Sequence, residues 1–190
     1  KAHAAGYALI SYQTAWLKAN YPAEYMCALL SSEFGRYDKM AVFLAEAAEL
    51  GFQVLPPDVN AAGVRFRPEG EKSIRFGLAG IRNVGGGAAE AIVREREANG
   101  PYRGLVDFCV RLDSQVVNRK ALESLIRCGA FDSLHPNRAR LFNGLDWALG
   151  RAAEAQKDRR VGQRSLFGED QLLTDEGLPP CDPWPVGLLL

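Results

Sequence analysis

The chain has 190 residues, 47% of them hydrophobic and 24% charged. That length suits one or two small domains with cores of their own, and no run nears the roughly 20 apolar residues needed to span a bilayer. The formal charge is zero, but residues 165–190 hold five carboxylates and no Lys or Arg, so the first 164 carry all 23 basic residues against 18 acidic ones. A mildly basic body with an acidic tail is compatible with a polyanionic partner without requiring one.

The opening "KAHAAGYALI" turns amphipathic at once and has no signal-peptide cleavage pattern. It lacks an initiator methionine, which reads as an internal piece of a larger polypeptide, or else as processing. Residues 4–20 follow a helical period, with Leu9, Tyr12 and Trp16 on one stripe and Ile10 and Leu17 beside it. Pro22 suits the first turn of a second helix, "PAEYMCALLSSEF". A third is expected in "DKMAVFLAEAAELG", where Met40, Phe43, Leu44 and Ala47 share a face and Gly51 ends the run.

The period then changes. Pro56 and Pro57 keep "FQVLPPDVN" extended, and "VRFR" and "SIRFGL" alternate around "PEGEK", which predicts a short β-hairpin. A subdomain boundary is expected near residues 52–64. A helix is expected from Ala88 to about Ala98, stopped by "NGP", and short ones at "GLVDFCVRL" and "NRKALESLIRCG". One longer helix, "NRARLFNGLDWALGRAAEAQKD", places Leu141, Leu145, Ala148 and Leu149 together. From about residue 157 the chain turns polar, then Gly- and Pro-rich, and reads as a linker or poorly ordered tail. The four cysteines are scattered without a CxxC pair, so no zinc site is expected. Cys27, Cys109 and Cys128 read as buried thiols of a reducing cytosol.

Gly85, Gly86 and Gly87 stand just before a predicted helix. Such a triplet belongs where the backbone passes through positive φ or approaches something closely. A P-loop needs Lys-Ser/Thr after the last glycine, and Ala88-Ala89 stand there instead. A dinucleotide fingerprint needs a third glycine where Glu90 lies, and that carboxylate would repel a pyrophosphate. A helix–hairpin–helix fits better. Leu78 and Ile81 supply its first helix, Val84 to Gly87 the turn, and Ala88, Ala91 and Ile92 the packing face of the second helix. The second helix would offer unpaired N–H groups and a positive dipole end to a DNA phosphate, with Arg82 as an added cation. The alternative is that the glycines only permit tight helix packing. Gly86 departs from the apolar residue usual at that place. A related unit follows, in which Asn118, Arg119 and Lys120 open a helix as candidate phosphate contacts.

Five blocks occur in order: "KAHAAGYALISYQTAWLKANYPAEYMCALL", "VLPPDVN", "IRFGLAGIRNVG", "VNRKALESLIRCGAFDSL" and "GQRSLFGE". Together they resemble the α subunits of bacterial replicative DNA polymerase III, the C-family polymerases. The resemblance implies a mainly α fold with a small β-hairpin. It divides the chain into the C-terminal part of the fingers (1–52), a β-hairpin with a tandem helix–hairpin–helix DNA-binding domain (53–156), and a linker with a clamp-binding motif and truncated tail (157–190). It also implies templated nucleotidyl transfer with Mg²⁺ in a palm preceding residue 1, an inactive isolated fragment holding no cofactor, and a cytoplasmic location without membrane contact.

By the same resemblance, Lys1 and His3 face the triphosphate of an incoming deoxynucleoside triphosphate, with Tyr7 one turn beyond His3 on the same face. Ala2 stands where the family often has Ser. In "QRSLF", flanked by Gly162 and Gly168, Leu166 and Phe167 would dock in a groove while Gln163 hydrogen-bonds at its rim. That matches the family's internal sliding-clamp motif, although the two apolar residues could instead pack back on the body. The implied partners are duplex primer-template DNA, the nucleotide, the clamp and other replicase subunits. Two alternatives stand beside this reading: a non-catalytic helix–hairpin–helix module of a repair protein, and the error-prone paralogue of the polymerase.

Overall fold

The computed structural model describes the backbone of residues 2–161 and 174–185, with side chains over 3–157 and 174–185. The first helix, α1 (Ala2–Asn20), runs into α2 (Pro22–Ser32), which Pro22 opens because a first-turn residue needs no N–H donor. A further helix, α3 (Tyr37–Glu49), ends at Gly51, whose φ of 84° closes the turn in a conformation that side chains disfavour. Lys18 on α1 pairs with Glu46 on α3. The expected apolar stripe of α1 forms, yet Leu9, Ile10, Tyr12, Trp16 and Leu17 all remain exposed among the described residues.

The predicted hairpin forms between β2 (Arg67–Pro68) and β3 (Ser73–Arg75), which pair antiparallel. The extended segment before it supplies β1 (Gln53–Leu55), parallel to β3, so the hairpin is part of a three-stranded sheet in the order β1-β3-β2. Ile74 on the central strand is fully buried and packs with Phe52, Phe66, Met26, Leu30 and Met40. Arg75 on the same strand reaches Glu69 and the carbonyl of Pro56, fixing the sheet edge, and it holds the Glu69 carboxyl below its ordinary range.

A larger cluster is built from residues 59 onward. The stretch "PDVN" acts as a clasp: Asp58 Oδ1 accepts from the amides of Asn60 and Ala61 at 2.7 and 2.9 Å. Asn60 exchanges two hydrogen bonds with the backbone of Tyr102, at 2.8 and 2.7 Å. Arg96 donates to the carbonyls of Val59 and Ala62, both at 2.9 Å. After a 3-10 turn (Leu78–Gly80) come α4 (Gly86–Asn99), α5 (Leu105–Arg111) and α6 (Arg119–Arg127). Ile92, Leu105, Phe108, Leu125 and Ile126 have no accessible surface and form their common core. Truncating one such residue to Ala costs about 2–5 kcal/mol.

Two expectations change here. The single long helix after residue 137 is two, α7 (Arg138–Asn143) and α8 (Leu145–Val161), parted at Gly144. A side chain at Gly144 would collide with Leu178, so a segment that returns from farther along the chain packs against the break. That segment corrects the reading of the tail as an unpacked linker over residues 174–185: Leu178 is buried, Trp184 lies 5.5 Å from the Phe142 ring, and Asn137 Nδ2 donates to the Cys181 carbonyl at 2.8 Å.

Candidate nucleic-acid interface

The residues leading to the glycine triplet are pinned from inside. Ile81 and Val84 are buried, and Asn83 Nδ2 donates to Ser124 Oγ on α6 at 3.0 Å. The first helix of the expected hairpin motif is only the 3-10 turn, flanked by Gly77 and ending at Gly80, where a side chain would collide with the Arg65 backbone and the Phe76 ring respectively. The second helix, α4, forms as expected, with Ala88, Ala91 and Ile92 buried.

The triplet differs from the expectation in a telling way. Gly85 has φ −71° and ψ 165°, an ordinary extended geometry, and the positive φ of this turn falls on Asn83 at 66°. A Cβ added at Gly85, Gly86 or Gly87 would meet nothing within 4 Å. Among the described residues, neither backbone strain nor helix packing therefore accounts for the three glycines. All three are exposed, and Gly86 is simply the first residue of α4.

What surrounds them is a helix start left open. Among the described residues no side chain caps α4, and its first-turn amides, which like those of any helix lack an intrahelical partner, carry the positive end of the helix dipole. The next three helices are closed. On α5, the two oxygens of Asp175 accept from the amides of Leu105 and Val106 at 2.8 and 3.0 Å. Asn118 caps α6 through Ala121 N at 3.1 Å, and Asn137 caps α7 through Arg140 N at 3.0 Å. The starts of α2 and α3 also lack a side-chain cap.

The predicted cations divide into two kinds. Arg82 and Lys120 are exposed and line one groove beside the turn. Arg119 instead binds Glu123 at 3.0 Å and grips the Asp146 carboxylate, which raises its own pKa and lowers that of Asp146. Spacing within α6 gave no sign of Asp146, which arrives from α8. Val84 is buried, so its part is to hold the turn from beneath. Sequence reading also passes over Tyr37 and Arg127, which line the groove with Arg82 and Lys120: Tyr37 falls between two expected helices and Arg127 is one more residue of another.

At the other end, His3 and Tyr7 are both exposed on α1, their rings edge to face with centroids 4.8 Å apart. Lys1, Gln163, Leu166 and Phe167 lie outside the described residues. Among the described residues no three His, Cys, Asp or Glu side chains converge as a metal site, and no helix is long and apolar enough to cross a membrane. Burial pushes the Cys27 and Cys109 thiols up to about 12 and that of Cys128 to about 11, so these three stay protonated at neutral pH.

A family model described as a helix-hairpin-helix motif matches residues 51–141. The whole chain aligns with DNA polymerase III subunit alpha of Xylella fastidiosa (strain Temecula1 / ATCC 700964) at 44% identity and with that of Escherichia coli (strain K12) at 40%. It covers 16% and 17% of those proteins. The subunit alpha of Thermus aquaticus is 51% identical over 89% of this chain and 14% of its own length. The chain thus spans about one-sixth of the length of the first two relatives.

Proposed function

We infer, from the premise that this chain is homologous over its whole length to a segment of bacterial DNA polymerase III subunit alpha, that it serves DNA-templated DNA synthesis as a grip on the duplex. The observation that carries the grip is the start of α4: three exposed glycines that the fold itself does not require, leading an uncapped helix end. Phosphate oxygens suit that place, since backbone amides and the dipole attract an anion and the missing side chains let it come close. Arg82 and Lys120 add point charges beside it, and Arg119 can join by exchanging Asp146 for a phosphate. None of these groups reads a base edge, so the contact positions DNA without selecting sequence.

Two further roles rest on the homology and on residue chemistry. Lys1, His3 and Tyr7 would face the triphosphate of the incoming nucleotide, and the edge-to-face contact of His3 with Tyr7 one turn on supports a shared face for the last two. Gln163, Leu166 and Phe167 would tether the polymerase to its sliding clamp, the two apolar side chains entering a groove. By the same homology the parent would carry its Mg²⁺-dependent nucleotidyl transfer in other segments, and this chain alone should not extend a primer. Other replicase subunits are expected partners of the parent, and its place of work the cytoplasm.

The test is duplex binding by anisotropy across a salt series. With two exposed cations engaged, affinity should fall about tenfold between 50 and 200 mM salt and vary little with sequence. Binding indifferent to salt would remove the phosphate grip.

A further inference from the structure

Beside the glycine turn lies a groove of about 830 Å³, bounded by the start of α3, the end of the sheet and the outer face of α6. Its two sides differ in chemistry. One carries Arg82, Lys120 and Arg127, and the carboxylate among them, Glu123, already accepts from Arg119 at 3.0 Å. Arg127 is steadied by the Phe142 ring, over which its guanidinium sits at 4.7 Å. The other side carries the exposed ring of Tyr37 and the half-buried ring of Phe76, with Met40 and Pro57 beneath.

A duplex has no use for the second side, because its bases are stacked inward and it offers only phosphates and sugars. A single strand offers both phosphates and free base faces, and proteins meet it with cations along one wall and aromatic rings on the other. We propose that this groove holds a short stretch of single-stranded nucleic acid, its phosphates against Arg82, Lys120 and Arg127 and a base against Tyr37. The proposal rests on the nucleic-acid reading above and adds to it a groove that opens directly beside the α4 start and shares Arg82 and Lys120 with the duplex grip. Charge complementarity selects this occupant: an acidic or purely apolar protein segment would satisfy one side and not the other.

The experiment measures, on the full chain at low salt, the anisotropy of a labelled oligothymidylate of about 12 nucleotides and, separately, of a blunt duplex of similar length. Tyr37→Ala removes an exposed ring and should leave the fold untouched; Arg127→Gln removes one charge. Each should weaken oligothymidylate binding about fivefold or more and leave duplex affinity within about twofold. Gly87→Asp should do the reverse. Unchanged oligothymidylate affinity in Tyr37→Ala would overturn the proposal, as would equal losses on both probes, which would make the groove part of the duplex grip. Loss of duplex binding alone in the wild type would instead remove the grip and leave the groove standing.

Discussion

The starts of α4 and α5 solve one physical problem in opposite ways. Both helices begin with amides that lack intrahelical acceptors. On α5 a carboxylate from 70 residues away supplies the acceptors, and a side chain at Gly104 would collide with it. On α4 three glycines leave equivalent space with nothing in it. Asp175 shows what kind of group such a start takes, a bidentate anion close against backbone, and the proposed grip would give α4 the same kind of group from outside. The two starts therefore separate stability from binding, and substitutions should move one without the other.

The largest effect is expected at the closed start. Asp175→Ala strands two amides that now receive charge-assisted hydrogen bonds and loosens the segment carrying Leu178, so unfolding free energy should fall by about 2–3 kcal/mol. Thermal or urea melts check this, and duplex affinity measured well below the melting temperature should stay within about twofold. A variant as stable as the wild type would show that the carboxylate is incidental to α5. Next comes the open start. Gly87→Asp places a carboxylate among the unpaired amides, where it is compatible with the dipole and meets no neighbour. Stability should hold or rise by about 0.5 kcal/mol, while duplex affinity drops about tenfold. Undiminished affinity would mean that no phosphate sits there.

A smaller effect is expected at α6, the intermediate case. Asn118 caps the helix with its own oxygen, so Asn118→Ala should cost about 1 kcal/mol. It should weaken duplex binding about threefold, because Arg119 and Lys120 ride on the turn that Asn118 fixes. Full affinity together with lost stability would reduce Asn118 to a cap and take it out of the interface.

What could be read from sequence follows the range of the interactions. Pro22 and Gly51 bound their helices through rules confined to a turn, and both readings match the structure. The packing face of α4 was legible because burial repeats with the helical period; Ala88, Ala91 and Ile92 are buried as expected. Features set by distant segments were not. Leu178 lies against Gly144 at the point where one expected helix becomes two, and the contacts of Leu178, Cys181 and Trp184 with the body left no periodic signal in a stretch rich in proline and acid. Nor could local pattern say that the glycines are free of internal duty, since crowding at a Cβ depends on what the fold brings near. The pairing of Arg119 with Asp146, 27 residues on, was hidden for the same reason.

That pairing gives the smallest and most discriminating effect. Arg119 stands at the same end of its helix as the open amides of α4, but an acid now holds it. Asp146→Asn keeps the shape, removes a negative charge from the approach of a polyanion and leaves Glu123 as the remaining carboxylate. Duplex affinity should rise about two- to threefold and the salt dependence should steepen, as one more cation meets phosphate. The pH dependence follows from the direction of the shift. Arg119 lowers the Asp146 pKa, so the pair is fully present above the ordinary carboxylate range and is lost only as pH falls through the lowered value. The gain should therefore be constant from about pH 5 to 8. A gain that vanished on raising the pH within that window would point to a titrating group other than Asp146, and no gain at all would leave Arg119 a purely structural partner of α8.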